Sequence, residues 1–239
     1  MAQDVIPQQQ PAGGASVNGT TTTRLTELDR YAGWGVWALP VWSLLLFLGT
    51  LTHQPDPRTD FPSFARYVTT TEFLLSHIFA SIVGAAIGAI GFVALFIVLA
   101  LRVRSRLAVA GVVMVVAANV ISSAIFGMAA FGQSAVGRAY LGGQTQEAVV
   151  LYNDMYGVPL FSTAAAGILM LVVGTIFFGI SVARSRLFSR WIGVVLAVSI
   201  VLFGVVGVIL ADVVQSIGAA SLIVSTGWLA YSVRRRTAL

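Results

Sequence analysis

From residue 24 onward the chain alternates long apolar runs with short polar ones. Crossing a bilayer takes about 20 mostly apolar residues for roughly 30 Å of hydrocarbon. Runs of that length cover 31–52, 73–101, 107–131 and 157–183. The last apolar stretch, 191–233, is too long for one crossing, and Asp212 divides it into 191–211 and 213–233. The pattern predicts an all-α integral membrane bundle of six transmembrane helices over 24–239. Pro40, which lacks an N–H and crowds the preceding turn, should kink the first helix. Residues 1–23 hold Asp4, many Gln, Gly, Ala and Thr, and no basic residue. That composition lacks the basic and apolar regions of a cleavable signal and reads as a disordered cytoplasmic tail.

The connections sharpen this layout. Arginines at 24 and 30, at 102, 104 and 106, at 184, 186 and 190, and at 234, 235 and 236 flank the apolar runs. With six spans these eleven of the fourteen arginines share one side, and only Arg58, Arg66 and Arg138 fall on the other. The positive-inside rule then puts both termini in the cytoplasm and the bundle in the inner (cytoplasmic) membrane. Trp34, Trp37, Trp191 and Trp228 lie near the expected cytoplasmic ends, as an aromatic belt would; Trp42 lies nearer mid-span. The outer connections, 53–72 and 132–156, are long. The first carries Pro55, Pro57 and Pro62 and should be irregular; in the second, 145–152 suits a short surface helix.

Composition agrees and removes several chemistries. The chain is 57% hydrophobic and 10% charged, with a mean hydropathy of +0.90. Soluble domains carry roughly 25% charged residues. No cysteine is present, which excludes disulfides, thiolate metal sites and cysteine nucleophiles. All basic residues are arginine, so a lysine Schiff base is excluded. The pI of 10.2 comes from loop arginines that follow topology, so no nucleic-acid partner is expected. The expected surroundings are the lipid bilayer, with other membrane subunits or a second copy as candidate partners.

His77 is the only ionisable residue of the 73–101 run. Ser81, Gly84, Gly88 and Gly91 follow at helical spacing and share its face. Small residues mark close helix packing in lipid, and Gly84 with Gly88 forms a GxxxG pair that could serve internal packing or dimerisation. His77 should therefore face the bundle. An intramembrane ionisable group is a functional candidate; the plainer reading is a neutral histidine bonded to a neighbouring helix. Asp212 could pair with His77, or act with Gln215 as a capping box starting the last helix. Thr69 and Glu72 fit the same capping pattern before the second helix. His53 and His77 form the only possible histidine pair for a haem or a metal, although no cofactor and no metal site is expected from so few ligands. Asn119, Ser122 and Ser123 make a polar patch in the third helix, suited to interhelical hydrogen bonds.

Arg104-Ser105-Arg106-Leu107 recurs as Arg184-Ser185-Arg186-Leu187, which suggests either a duplicated hairpin or two similar inner loops. The segment Ser185-Arg186-Leu187-Phe188-Ser189-Arg190-Trp191-Ile192-Gly193, followed by a closing hairpin ending in Arg234-Arg235-Arg236, resembles the last third of several uncharacterised bacterial multi-pass membrane proteins. That resemblance implies a fold type and no activity. No nucleotide loop, zinc-protease or nucleophile-elbow motif occurs. The expected function is a small transporter-like bundle or an accessory subunit of a membrane complex. The alternatives are a redox protein using His53 and His77, and a lipid enzyme at the membrane interface using His77 and Asp212 as an acid–base pair.

Overall fold

A computed structural model describes residues 17–237, with side chains from Leu25 to Arg236. Every element among the described residues is helical. Six helices are long and apolar enough to cross a membrane: Leu25–Gly49, Thr71–Ala100, Arg106–Leu141, Val158–Arg184, Arg190–Leu210 and Asp212–Arg236, spans 1 to 6 below. The chain is an all-α, multi-pass membrane protein.

Several ends differ from the sequence expectation. The first helix begins at Val17; of the tail expected over 1–23, residues 1–16 lie outside the described residues. Span 1 breaks at Val36–Trp37, one turn before Pro40. The Val36 carbonyl, which Pro40 cannot bond, accepts from Leu39 N–H at 3.0 Å instead. The first outer connection is not irregular throughout. Asp60 caps a helix at Phe61–Val68 by accepting from the Ser63 N–H at 3.0 Å. Span 2 starts one residue later than the capping-box reading placed it: Thr70, not Thr69, accepts from the Phe73 N–H at 3.2 Å. Span 3 runs on to Leu141, far beyond what about 30 Å of hydrocarbon needs. A surface helix follows at Thr145–Met155.

Each span packs against its chain neighbours, and span 6 returns to pack against span 1. The six therefore make a ring in sequence order. Where glycines meet, the backbones approach closely. A Cβ on Gly88 would lie 2.6 Å from Trp42 Cδ1, and one on Gly91 would lie 2.7 Å from Leu39 Cδ2. The small-residue face of span 2 is thus the seat of span 1, and the GxxxG pair is spent inside the chain. Gly111 and Gly174 join spans 3 and 4, and Gly179 and Gly193 join spans 4 and 5. The two Arg-Ser-Arg-Leu segments are not equivalent: Ser105 caps the start of span 3, whereas 184–187 ends span 4 and turns at Arg186 with φ of 57°.

The ring centre is filled at the arginine-rich end. Trp42, Phe92 and Phe178 form a chain of ring contacts, each step 5.2 Å between centroids, surrounded by Leu39, Leu95, Val182 and Ile192. The same end is tied by a two-pronged pair, Arg102 Nη1 and Nη2 to the Asp29 carboxylate at 2.5 and 2.6 Å. Arg234 lies 4.0 Å over the Trp34 ring. The belt tryptophans 34, 37, 191 and 228 are exposed, whereas Trp42 is fully buried in the core.

At the opposite end a small aromatic cap sits over spans 2 to 4. Tyr152 packs edge to face with both Phe61 and Phe64, which are tilted against each other, and stacks on Tyr156 at 4.6 Å. Tyr156 is hydrogen-bonded to Gln133 of span 3. Burial pushes the Tyr156 hydroxyl up to about 12, outweighing the smaller lowering by Gln133. Because the folded value is raised, the cap is fully supported below about pH 10, the unfolded value, and loses this contribution as pH rises through the folded one. In an alkaline titration followed by tyrosinate absorbance, the chain minus its Tyr156→Phe variant should show an ionisation near 12 and none at 10.

Candidate functional site

The half of the ring away from the arginines is hollow. A cavity of about 290 Å³ reaches from Trp42, Ala85, Asn119 and Leu171 at mid-bundle up to Thr52, Ser76 and Gln215. All six spans contribute to its wall. The polar atoms come from Thr50, Thr52, Ser76, His77, Ser81, Asn119, Ser122 and Gln215, and the wall contains no acid and no arginine.

Two irregular helical stretches shape this cavity. Spans 2 and 5 pass through π-helical segments at Ser76–Val83 and Leu202–Val206, and both segments supply wall residues. A π turn inserts a residue into the helical repeat and rotates the face that follows; such turns recur at functional sites. The regular spacing that placed His77, Ser81 and the glycines on one face is therefore broken between them. His77 and Ser81 line the cavity, while Gly88 and Gly91 meet span 1 below it.

His77 is held in one orientation. Its ring lies 4.1 Å from the Phe73 ring and edge-on to Phe126 at 6.1 Å. Its Nδ1 is 3.0 Å from the Phe73 carbonyl, which also accepts from Ser76 Oγ at 2.9 Å. A carbonyl only accepts, so Nδ1 carries the proton and neutral His77 keeps Nε2 as an acceptor. Across the cavity, Asn119 uses its Nδ2 on the Val115 carbonyl of its own helix at 2.8 Å. Its Oδ1 and the Ser122 hydroxyl remain the polar features of span 3 there.

The structure does not bring the other candidates to this place. Asp212 lies beside His53, with Oδ2 3.7 Å from Nδ1, and both side chains are more than three-quarters exposed at 78% and 86%. Neither lines the cavity. Asp212 opens span 6 but does not occupy its capping position. Ala211, extended at φ −172°, accepts from the Gln215 N–H at 3.3 Å, which makes it the capping position and puts Asp212 in the first turn. Gln215, read from the sequence as a capping partner, lines the cavity instead. Among the described residues no three His, Asp or Glu side chains cluster as a metal would need. Sequence reasoning also missed Thr50, Phe203 and Gly204, which carry no signal beyond being small or apolar within apolar runs.

Comparison with protein-family models, with curated proteins and with solved structures finds no match.

Proposed function

We propose that this chain is a transporter-like bundle that takes a small uncharged ligand into its cavity. The observation that carries the reading is the asymmetry of the ring: plugged by Trp42, Phe92 and Phe178 at the arginine-rich end, hollow at the other. With the arginine-rich end in the cytoplasm, the cavity faces the outer side of the cytoplasmic membrane. Its volume is at the lower end of ligand pockets, which run from about 300 to 1,000 Å³. The wall offers His77 Nε2, Asn119 and Ser122 for one or two hydrogen bonds and no charge to balance an ion. Burying an ion there would cost several kcal/mol, so neutral solutes are favoured. The support for a redox centre is weaker, since His53 and His77 stand in different surroundings.

A thermal-shift series on the full chain in lipid nanodiscs tests the reading. Uncharged alcohols and amides should raise the unfolding midpoint, and carboxylates and ammonium ions of equal length should not. A ligand at 100 times its Kd stabilises by about 2.7 kcal/mol. Ser122→Phe, which fills the cavity, should abolish the shift while leaving the chain folded. Equal shifts for charged and neutral compounds, or an undiminished shift in Ser122→Phe, would refute it.

A further inference from the structure

The ring has a gap. In the arginine-rich half, span 4 is buried on two sides, through Val172, Gly174, Thr175, Phe178, Gly179 and Val182. In its other half only Gly167 is buried, against Ile121 of span 3. Val158, Phe161 and Leu169 are 81%, 52% and 62% exposed. Span 5 behaves alike. Gly204 packs on Val172 of span 4, but beyond it Gly207 meets Gln215 of span 6, while Val208, Ile209 and Leu210 are exposed. Spans 4 and 5 therefore touch up to Gly204, which faces both Val172 and the edge of Ile168, and part above it. The π segment of span 5 sits where they part. Ile168 on one side of the gap and Val208 on the other are at once exposed and part of the cavity wall.

The wall is chemically two-sided. Spans 4 and 5 supply only Ile168, Leu171, Phe203, Gly204 and Val208. Across the ring, spans 1 and 2 add Thr50, Thr52, Ser76, His77 and Ser81 to an apolar lining that includes Leu45, Leu46 and Ala80. Ile168 lies about 15 Å inside the outer end of span 4, so the deeper part of the gap falls within the span of hydrocarbon, while Val208 stands one turn below the Ala211 turn. Apolar edges at the opening and hydrogen-bonding groups on the far wall suit a molecule with one polar end and an apolar tail.

Resting on the proposed function, we infer that the cavity is entered sideways from the outer leaflet, between spans 4 and 5, by a neutral single-chain amphiphile. Its hydroxyl or amide head reaches His77 and the hydroxyls of spans 1 and 2. Its alkyl tail lies along Leu171, Ile168 and Val208 and trails into the lipid. No desolvation of a charge is required at any stage, and the tail never leaves an apolar surrounding.

The test uses dodecanol bearing a diazirine at the far end of its chain, incorporated into nanodiscs with the full chain, and maps photolabelled residues by mass spectrometry. Label should fall on Ile168, Leu171 or Val208 and be competed away by excess plain dodecanol. Val208→Trp or Ile168→Trp, each narrowing the gap, should lower that label about tenfold, the scale of a steric mismatch in an apolar pocket. Val120→Trp, on the lipid-facing side of span 3, should not change it. Label spread evenly over exposed positions such as Val113 and Val120, uncompeted, would overturn the inference. A short water-soluble diazirine alcohol supplies the second arm. If it labels the cavity, and neither gap variant slows dodecanol, entry is from the aqueous end: the sideways route fails and the cavity reading stands. If neither probe labels the cavity, both fail.

Discussion

Gly193→Ala should cost about 3 kcal/mol or prevent folding, although it adds one methyl group. A Cβ there would run into the Gly179 carbonyl and lie 2.8 Å from the Ala183 backbone nitrogen. Those are main-chain atoms of span 4, so no rotamer change can relieve the overlap and the two helices must separate. Separation would empty the contact around Phe178 and Ile192 that fills the arginine-rich end. Gly227→Ala is the control. Nothing lies within 4 Å of its added Cβ, and alanine is favoured over glycine inside a helix by about 1 kcal/mol. Thermal unfolding in one detergent should separate the two variants cleanly. Similar midpoints would mean that spans 4 and 5 do not meet through these glycines.

Asp29→Ala should lower stability by about 2 kcal/mol, the scale of a charge-assisted hydrogen bond whose partner is left behind. Asp29 and Arg102 are only about one-fifth exposed and meet through two parallel bonds, and Arg102 Nη1 also reaches the Val98 carbonyl at 3.1 Å. The pair joins the start of span 1 to the end of span 2. In the double variant with Arg102→Ala the losses should add to clearly less than their sum, because the second change removes a charge the first stranded. His53→Ala offers the contrast. Its pairing with Asp212 is long, at 3.7 Å, and open to water, so unfolding should shift within error. Additive losses at 29 and 102 would place those side chains apart.

What the sequence made legible follows from what kind of force set each feature. The six spans were readable because hydropathy and arginine placement act along the chain, residue by residue; several of their ends were not. The seat of span 1 on Gly88 and Gly91 was half legible: the small face could be seen, but its occupant, Trp42, could not. Trp42 looked like a misplaced belt residue because its partners, Phe92 and Gly88, are far away in sequence. The cavity was hidden for a related reason. It depends on how the faces of six helices are rotated, and two π segments alter that rotation in spans 2 and 5. Nothing in Ser76–Val83 or Leu202–Val206 signals an extra residue per turn; packing decides it. His77 was found because its chemistry is rare in lipid. Gln215 was missed because a glutamine three residues after an aspartate also fits a cap. Asp212 itself carried the correct span count and the wrong role.

The chain's lack of cysteine gives a direct test of the central claim, a six-span ring whose hollow half faces outward. Single cysteines at Gln146, Ser189 and Ala211, all exposed, can be treated with a membrane-impermeant maleimide in intact cells. Gln146→Cys and Ala211→Cys should react before permeabilisation, and Ser189→Cys only after it. The reverse pattern would turn the cavity towards the cytoplasm, and an Ala211→Cys that behaves like Ser189→Cys would remove the final hairpin and with it the ring.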